Sequence, residues 1–548
     1  MTSTEESPRP QGSGSSAAST ATAVPDFIII GSGINALVCG AMLSLGGRRV
    51  LLLEREAVAG GCIRTAELTA PGFHHDVLST LYPQFVSAPH FPQLAPHLAR
   101  HGVVFRNGPT PTGVLLDDGR SLVLTRDREA NIKAFEACAP GDGRAYADAM
   151  ASAERDGALV GGLLGNDLWS FATVRLMLSE LRKRGVKPLA KTFGGMLRSS
   201  RAWLEQDFTS PVSRALFAPW VLHAGLGPES AASAMMDMLM VASIEQAGSP
   251  MVEGGSARLV EAFIALITEQ GGKVRLGVDV ERIIVENRRA IGVRTADGEV
   301  IRAHQGVIAS VTPGRLYGGL VAREDLPAEV VTEAAAFRHG RGEMQIHLAL
   351  SEPPQWPDPA LQHVAMLHVT PGLDATSQSV SEAERGLLPQ AATLVVAQPV
   401  AIDPSRAPAG RWILWIQLQE LPPDGKLKGD AAGAIPTPTD GRYTPEVREA
   451  YADRIVERLC RLIPNLRTSI LGRHAISPGD LSRLNINLVG GDPYGGDCSL
   501  DQFLLWRPLA TPANHETPIR GLHHIGASTH PGPGLGGMSG YLAARKIL

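Results

Sequence analysis

The sequence predicts an α/β fold in which a parallel sheet around a nucleotide-binding loop is assembled from separate stretches of chain. Three observations support this prediction. Near residue 30, an apolar strand, a Gly-x-Gly turn, a small-residue helix and a second apolar strand follow one another. Residues 254–310 resume the pattern with a helix and several strands, and residues 521–548 hold another glycine-rich turn before a helix. A helix-rich insert and a strand-rich insert separate these stretches.

The first loop lies in the stretch DFIIIGSGINALVCGAMLSLGGRRVLLLERE, which is typical of a Rossmann-like βαβ unit. Gly31 permits the sharp turn, Gly33 lets the backbone approach a pyrophosphate, and Ala36 is small enough for close helix–strand packing. Glu54 follows the second strand, where an acid accepts hydrogen bonds from ribose hydroxyls. The residues predicted to contact the nucleotide here are Gly31, Ser32, Gly33, Ile34, Asn35, Ala36, Glu54 and Arg55.

The composition of the 548 residues excludes several classes of protein. A hydrophobic share of 44% is ordinary for a folded globular chain, and a net charge of −4 offers no basic field for nucleic acid. The five cysteines are scattered and never spaced as C-x-x-C, which argues against a disulfide framework, a zinc site or a dithiol centre. We therefore expect a cytoplasmic protein without a metal or a nucleic-acid partner. Residues 1–24, rich in Ser, Thr and Ala, are expected to form a disordered tail.

The predicted organisation is a discontinuous nucleotide domain interrupted by two inserts. An amphipathic helix over 257–270 and strands ending near residue 309 belong to the nucleotide domain. The second insert combines the alternating strands EMQIHLAL, HVAMLHV, ATLVVAQPV and RWILWIQLQ with a capped helix near 445–462, which predicts an α+β substrate domain of sheet and helices. The predicted segments are the tail at 1–24, nucleotide-domain parts at 25–105, 250–325 and 505–548, and substrate-domain parts at 106–249 and 326–504.

The first insert contains a strongly basic amphipathic stretch over 171–204. Its sequence, FATVRLMLSELRKRGVKPLAKTFGGMLRSSRAWL, interleaves arginines and lysines with Leu, Met, Phe and Trp and carries little acid. Such a stretch either makes peripheral contact with an anionic membrane surface or forms a solvated helix face near a substrate mouth. The sequence leaves both alternatives open, and it leaves the oligomeric state open as well.

A Gly60-Gly61 pair follows the ribose acid, and flavoproteins of the glutathione-reductase superfamily resemble this arrangement. Together with GGCIRT, APGFHHDVLSTLYP, SLDQFLLWRP and the closing GASTHPGPGLGGMSGYLAAR, the first loop resembles the phytoene desaturase, carotenoid isomerase and retinol saturase family. The motifs cover both ends and the middle of the chain. The resemblance is strongest to the branch that includes the pyridine-nucleotide-disulfide-oxidoreductase-domain proteins, although a disulfide redox pair is missing here.

The resemblance implies bound FAD in a discontinuous, glutathione-reductase-type domain, and it assigns further residues to the cofactor. The glycine pair would pass the flavin diphosphate on its way to the isoalloxazine, Val280 would lie near the adenine, and Gly526 near the ribityl chain. Many relatives carry an arginine directly after the pair, whereas this chain has Cys62. The cofactor contacts implied in this way are Gly60, Gly61, Cys62, Arg64, Thr65, Val280, Ala309, Gly526, Ala527, Gly536, Gly537 and Met538.

The activity implied by the resemblance is oxidation or isomerisation of carbon–carbon bonds in an apolar small molecule, of polyene or terpenoid type. His530, in the turn expected to face the flavin, is the first candidate catalytic residue, and Thr80 is the second. We expect desaturation by hydride transfer to flavin N5, with reoxidation by oxygen or a quinone. Three alternatives stay open: a redox-neutral isomerase, an FAD amine oxidase on a similar fold, and a non-enzymatic interaction protein.

Overall fold

The computed structural model describes residues 24–511 and 514–548. Residues 1–23 of the predicted tail therefore lie outside the described residues. The division of the chain into nucleotide and substrate domains at the boundaries given above stays a prediction, whereas the sheets and helices that each segment contributes are observed directly.

The helices and strands follow in chain order. The first segment holds β1 Phe27–Ile30, α1 Ile34–Leu45, β2 Val50–Leu53, β3 Thr65–Ala66, β4 His75–Asp76, α2 Pro83–Val86, α3 Phe91–Arg100 and β5 Phe105–Arg106. The second holds β6 Thr112–Leu116, β7 Ser121–Leu124, α4 Arg128–Cys138, α5 Asp142–Leu164, α6 Phe171–Arg184, α7 Val186–Met196, α8 Ser200–Asp207, α9 Pro211–Phe217 and α10 Ser233–Ala247. The third holds β8 Met251–Val252, α11 Ala257–Glu269, β9 Lys273–Arg275, β10 Val280–Glu286, β11 Arg289–Thr295, β12 Val300–Arg302, β13 Gly306–Ser310 and α12 Pro313–Arg315.

The strand-rich segment and the closing segment complete the chain. The former holds α13 Ala328–Ala336, β14 Gly342–Leu350, β15 Met366–Thr370, α14 Leu373–Glu384, β16 Leu387–Leu388, β17 Leu394–Ala397, α15 Pro399–Ile402, β18 Trp412–Leu421, β19 Gly429–Asp430, α16 Pro445–Leu462, α17 Leu466–Ser469, β20 Ile470–Ile476 and α18 Pro478–Leu484. The latter holds β21 Leu522–Ile525 and α19 Met538–Ile547.

A five-stranded parallel sheet collects strands from three distant stretches in the order β21-β13-β1-β2-β9. All four residues of β1 are buried, because both faces of the sheet are covered. Phe27 and Ile29 point into a core shared with α1, α11 and α19. Ile28 and Ile30 point into the opposite core, formed with the antiparallel sheet of β10, β11 and β12. These observations confirm the predicted α/β class and its discontinuous Rossmann-like sheet.

A seven-stranded mixed sheet forms the second layer system, in the order β20-β14-β18-β17-β15-β6-β7. The four strands predicted for the second insert are all present as β14, β15, β17 and β18. The hairpin of β6 and β7 comes from the insert predicted as helix-rich, and β6 pairs in parallel with β15. Its sequence, TGVLLDDGRSLVL, carries an Asp-Gly turn between apolar strands, which is a hairpin signal.

Helices cover both faces of this second sheet. One face packs against α16, through a core that contains Ile346, Leu348 and Tyr451. Part of the other face packs against the helices of the first insert, through a core that contains Val114, Tyr146 and Trp203. Within the residues that the structure describes, no helix is long and apolar enough to cross a bilayer.

The closing helix α19 packs closely on α1. A side chain at Gly540 would collide with the carbonyl oxygen of Asn35, and one at Gly537 would meet Val38. Gly537 also precedes the helix at a φ of +67°, in the left-handed region that favours glycine. The glycines of this turn therefore bring the last helix against the first one, which carries the nucleotide loop at its N-terminus.

Candidate active site

A cavity of about 670 Å³ lies at the carboxyl ends of β1, β2 and β13, between the two large sheets. Open parallel sheets bind ligands at this edge, where the loops that follow the strands converge. The volume falls within the range of about 300–1,000 Å³ that is usual for small-molecule sites. One wall is made of glycine-rich loops, and we call it the nucleotide wall. The other wall is made of side chains from the seven-stranded sheet and from α5 and α10, and we call it the substrate wall.

The nucleotide wall begins with the loop between β1 and α1. Gly31 has a φ of +95°, and a Cβ there would lie 3.3 Å from the carbonyl oxygen of Ser310. Gly33 has the opposite surroundings, because a Cβ there would meet no atom within 4 Å. No side chain caps the N-terminus of α1. The first N–H groups of the helix therefore meet open space, which suits the phosphates of a ligand.

Glu54 ties the strands of this wall together. Its Oε2 accepts hydrogen bonds from the Ser32 backbone N–H at 3.0 Å and the Ser32 hydroxyl at 2.6 Å, and its Oε1 accepts one from the Glu56 N–H at 2.9 Å. The Ser32 hydroxyl oxygen in turn accepts from the Gly60 N–H at 3.0 Å. Each carboxylate oxygen accepts about two hydrogen bonds, so Oε2 is fully used and Oε1 keeps one free acceptor position. The buried acid therefore stays able to receive a ribose hydroxyl from the cavity.

The glycine pair lies directly against the first loop. Gly60 and Gly61 have φ values of +112° and +60°, and a Cβ at Gly61 would lie 3.2 Å from Gly33 Cα. A Cβ at Gly60 would collide with the Ile63 carbonyl oxygen. Only glycine fits both positions without strain. This close approach leaves a backbone-lined channel, and together with the uncapped helix and the open space at Gly33 it fits a dinucleotide.

The structure brings most of the predicted cofactor residues to this cavity. Those that line it are Gly31, Ser32, Gly33, Ile34, Asn35, Glu54, Arg55, Gly60, Gly61, Cys62, Arg64, Val280, Gly526 and Ala527. Sequence reasoning missed two further lining segments, namely Ser310–Thr312 and Asn485–Leu488. These segments come from loops whose approach to the cavity depends on the folding of distant strands. That all of these residues contact a cofactor stays a prediction.

Six residues predicted to contact the cofactor do not line the cavity, and their placement is corrected here. Ala36 and Ala309 are fully buried inside α1 and β13, where they pack rather than face the cavity. Thr65 donates from its hydroxyl to Asp76 at 2.8 Å. Gly536, Gly537 and Met538 enter α19 on its packing side, because Gly537 lies against Val38 of α1. The turn reaches the cavity earlier, with Pro533, Gly534 and Leu535.

His530, the first candidate catalytic residue, also lies away from the cavity. Its side chain is fully buried and faces the loop between α5 and α6, near Asp167. Burial lowers the pKa of His530 to about 4, so the ring is neutral at physiological pH. Its carbonyl oxygen accepts a hydrogen bond from His515 Nε2 at 2.8 Å. The structure therefore corrects its predicted place in the wall facing the flavin.

Thr80, the second candidate, does line the cavity. Its hydroxyl donates to Asp76 Oδ2 at 2.8 Å, and Asp76 Oδ1 accepts from the Ser256 N–H at the same distance. Asp76 also forms a buried ion pair with Arg406, Nη2 to Oδ2 at 2.8 Å. Arg406 comes from the connection between β17 and β18. Asp76 thereby links the segment that carries Thr80 to the connection between β17 and β18 of the seven-stranded sheet.

The substrate wall is largely apolar. Its apolar lining includes Trp220, Met236, Leu239, Met240, Met366 and Trp415. Alternation along β14 and β18 decides which side chains face it, because residues two apart share a face. Glu343 on β14 and Gln417 and Gln419 on β18 bring polar groups to the cavity, while Met344 and Leu418 point into the core beneath α16.

Glu343 is the acid of this wall, and sequence reasoning did not single it out. It is buried, and its Oε1 accepts hydrogen bonds from the amides of Gln345 and Gln417. No hydrogen bond from the described residues reaches its Oε2. Burial raises the pKa of Glu343 to about 7. The signal was present, since a glutamate and a glutamine alternate with apolar residues in GEMQIHLAL, but the pattern does not reveal what the polar face covers.

Cys62 lies beside the glycine pair and has no cysteine partner. The amide of Asn485 donates to its Sγ at 3.7 Å. Burial raises the pKa of the Cys62 thiol to about 11, so the thiol keeps its proton at neutral pH. All five cysteines are free. The geometry therefore favours a structural thiol over a redox centre at this position.

The chain matches one family model and is similar to several known proteins. A family model described as flavin containing amine oxidoreductase matches residues 37–411. Pyridine nucleotide-disulfide oxidoreductase domain-containing protein 2 of Mus musculus is 26% identical over 562 residues, covering 95% of this chain and 93% of that protein. A limonene dehydrogenase subunit from Castellaniella defragrans is 24% identical over 541 residues, covering 95% and 94%. A solved structure of a putrescine oxidase triple mutant is 14% identical with a TM-score of 0.59, covering 95% and 98%.

Proposed function

This chain belongs to the family of flavin-containing amine oxidoreductases, and we propose that within this family it desaturates carbon–carbon bonds of an apolar substrate. The family resemblance predicted from the motifs is confirmed, and with it the chain is an FAD-dependent oxidoreductase. The observation that carries the finer proposal is the substrate wall, where Met236, Leu239, Met240 and Met366 face the loops that would hold the cofactor.

The nucleotide wall supplies the groups that would hold FAD. The N-terminus of α1 and Gly33 would receive the diphosphate, Glu54 a ribose hydroxyl, and the loop at Val280 the adenine. FAD, when bound, accepts a hydride from a substrate carbon at its N5 atom. The protein contributes position and dryness, because the apolar substrate wall excludes water from the reacting carbon atoms.

Glu343 is the group of this chain that we assign to the second hydrogen. Forming a double bond removes a hydride from one carbon and a proton from its neighbour. The proton needs an acceptor inside the cavity, and Glu343 Oε2 is the free carboxylate oxygen at the substrate wall. With a pKa of about 7, the carboxylate is poised to take a proton near neutral pH. We infer that Glu343 is the general base of the desaturation.

Two further observations support an apolar substrate over an amine. The other acids that line the cavity are Glu54, Glu56 and Asp279. They belong to the nucleotide wall, after β2 and before β10. At the substrate wall an ammonium group would find one carboxylate, Glu343, and the amides of Gln417 and Gln419, in a lining that is otherwise mostly apolar. Among the relatives, the limonene dehydrogenase subunit takes its name from a hydrocarbon.

Anaerobic photometry of the flavin tests this proposal. The FAD-loaded protein is mixed without oxygen with apolar terpenes and polyenes in one series and with primary and secondary amines in another. Bleaching by an apolar compound, with one equivalent of the unsaturated product, supports desaturation. Bleaching by amines alone would replace it with amine oxidation. Conversion of an apolar compound to an isomer by the reduced protein, without net bleaching, would replace it with the redox-neutral isomerase.

A further inference from the structure

The helices α6 and α7 expose an unusual share of apolar side chains. Along α6, Phe171, Val174, Leu178 and Leu181 recur every three or four residues and therefore form one stripe. Phe171 is 81% exposed and Leu178 60%. Trp169, Val186 and Leu197 extend the exposed apolar residues to either side of this stripe along the chain. We call the surface made of these seven residues the apolar stripe. Exposed apolar side chains gathered on one helix face in this way indicate an interaction site rather than ordinary surface variation.

The apolar stripe is accompanied by cations without acidic partners. Arg175 and Arg182 lie seven residues apart on α6, and Lys187 and Lys191 follow on α7. Within the described residues, none of these four forms a salt bridge, whereas Lys183 and Arg184 both pair with the buried Glu180. All four side chains are exposed. The surface therefore presents apolar groups together with a net positive charge that the protein does not neutralise.

Helix α6 lies behind α5, and α5 lines the cavity. Gly157, Val160, Gly161 and Leu164 on α5 line the cavity wall. The next helix, α6, packs on α5 through Leu176, which a side chain at Gly162 would strike. Since packed helices lie about 8–10 Å apart, the exposed face of α6 is separated from the cavity wall by two helix thicknesses.

We propose that the apolar stripe docks this protein on the surface of an anionic phospholipid bilayer. Phe171, Val174, Leu178 and Leu181 would enter the boundary between headgroups and acyl chains, while Arg175, Arg182, Lys187 and Lys191 would contact the acidic headgroups. Charge complementarity selects this partner over a second copy of the chain, because two identical basic faces repel each other.

Vesicle co-sedimentation of the full, FAD-loaded chain tests the proposal. One set of vesicles is phosphatidylcholine alone, and the other contains about 30% phosphatidylglycerol. The expected result is binding at least about tenfold stronger to the anionic vesicles, and weaker binding in high salt. The double variant Phe171→Ser with Leu178→Ser is expected to lose about tenfold or more of this binding. The double variant Arg182→Glu with Lys187→Glu is expected to bind phosphatidylglycerol vesicles no better than neutral ones.

A matched control replaces two exposed apolar residues elsewhere, Val300→Ser with Leu471→Ser, which are 50% and 51% exposed. This control is expected to bind vesicles like the parent protein, and all variants are expected to keep the FAD content and melting temperature of the parent. Equal binding by the stripe variants and the parent, or no preference for anionic vesicles, would overturn the proposal. So would a dimer in sedimentation equilibrium that the stripe variants dissociate, without any vesicle binding.

Discussion

The nucleotide wall and the substrate wall enclose one cavity but are built in different ways. The nucleotide wall is mostly backbone, brought close by glycines such as Gly31, Gly60 and Gly61, whose conformations or close contacts exclude a side chain. The substrate wall is mostly side chain, contributed by Glu343, Trp415 and other residues on strands and helices far apart in sequence. A site made of backbone requires particular residues at fixed spacing, whereas a site made of side chains requires only that the fold brings them together.

The largest expected effect comes from filling the space in front of Gly33. Gly33→Glu is expected to abolish FAD binding, because the side chain would occupy the open space at the N-terminus of α1 and add a negative charge beside the diphosphate. Flavin absorbance after reconstitution with FAD measures the loss. The melting temperature of the cofactor-free protein is expected to stay near that of the parent, since no protein atom lies within 4 Å of the new Cβ.

Gly318→Glu is the matched control for this experiment. Gly318 is exposed, has open space around its Cβ and does not line the cavity. This variant is expected to bind FAD like the parent protein. Full flavin content in Gly33→Glu would contradict the assignment of the first loop to the diphosphate.

The second largest expected effect is a loss of stability at the junction between the two walls. Asp76→Ala leaves Arg406 as a buried cation without its partner, and it removes the acceptor of Thr65, Thr80 and the Ser256 N–H. Breaking a buried pair in this way costs about 3–5 kcal/mol of the free energy of unfolding. Urea denaturation measures it.

Asp118→Ala serves as the comparison for the junction, because Asp118 and Arg120 form a pair on the surface with about half of each side chain exposed. That change is expected to cost less than about 1 kcal/mol. Similar losses in both variants would show that the Asp76–Arg406 pair does not hold the walls together.

The third expected effect is a change in the pH dependence of kcat/KM when Glu343 on the substrate wall is replaced. Only the ionised form of Glu343 accepts a proton, so kcat/KM is expected to rise with pH up to about 7 and to level off above it. Glu343→Gln is expected to remove this dependence and to lower the plateau about 100-fold. A pH profile of kcat/KM, normalised to bound flavin, measures both changes.

Glu420 offers a matched control on the neighbouring strand. Burial raises the pKa of Glu420 too, but its side chain accepts from the Thr393 N–H and does not line the cavity. Glu420→Gln is expected to preserve the profile of the parent protein. An unchanged profile in Glu343→Gln would exclude Glu343 as the base.

The smallest expected effect is at His530. Because its side chain lies outside the cavity, His530→Gln is expected to change kcat/KM per bound flavin by less than about twofold. The melting temperature is expected to fall, since the ring fills a fully buried position. A large loss of kcat/KM with unchanged stability and flavin content would return His530 to the active site.

The contrast between the walls explains how far the sequence alone could lead. The loop at Gly31–Asn35 and Glu54 were predictable from local conformation and a fixed spacing after a strand, whereas the glycine pair was assigned through the family resemblance. The role of the closing turn was predicted less accurately, since Gly537 and Gly540 meet the requirements of helix packing rather than of the cofactor. Glycine marks a close approach without showing what approaches.

The substrate wall could not be assembled from the sequence for a different reason. Glu343 and Gln417 become neighbours only because β14 pairs with β18 in an antiparallel register. The alternation along each strand indicated a polar face, but the partner strand and the cavity it borders follow from the long-range topology. The same holds for His530, whose orientation depends on how the distant loop between α5 and α6 packs against its turn.

The strand order β21-β13-β1-β2-β9 also has a consequence for biosynthesis. The ribosome makes β1 early, but one of its two neighbours, β13, follows only after residue 305, and β21 completes that side almost five hundred residues after β1. At about 5–20 residues per second, the interval before β21 emerges is roughly 25 to 100 s. Until then the apolar strand Phe27–Ile30 lacks part of its sheet. The cavity wall at Gly526 and Pro533–Leu535 cannot form before those residues are made, so the complete site for FAD comes late in synthesis.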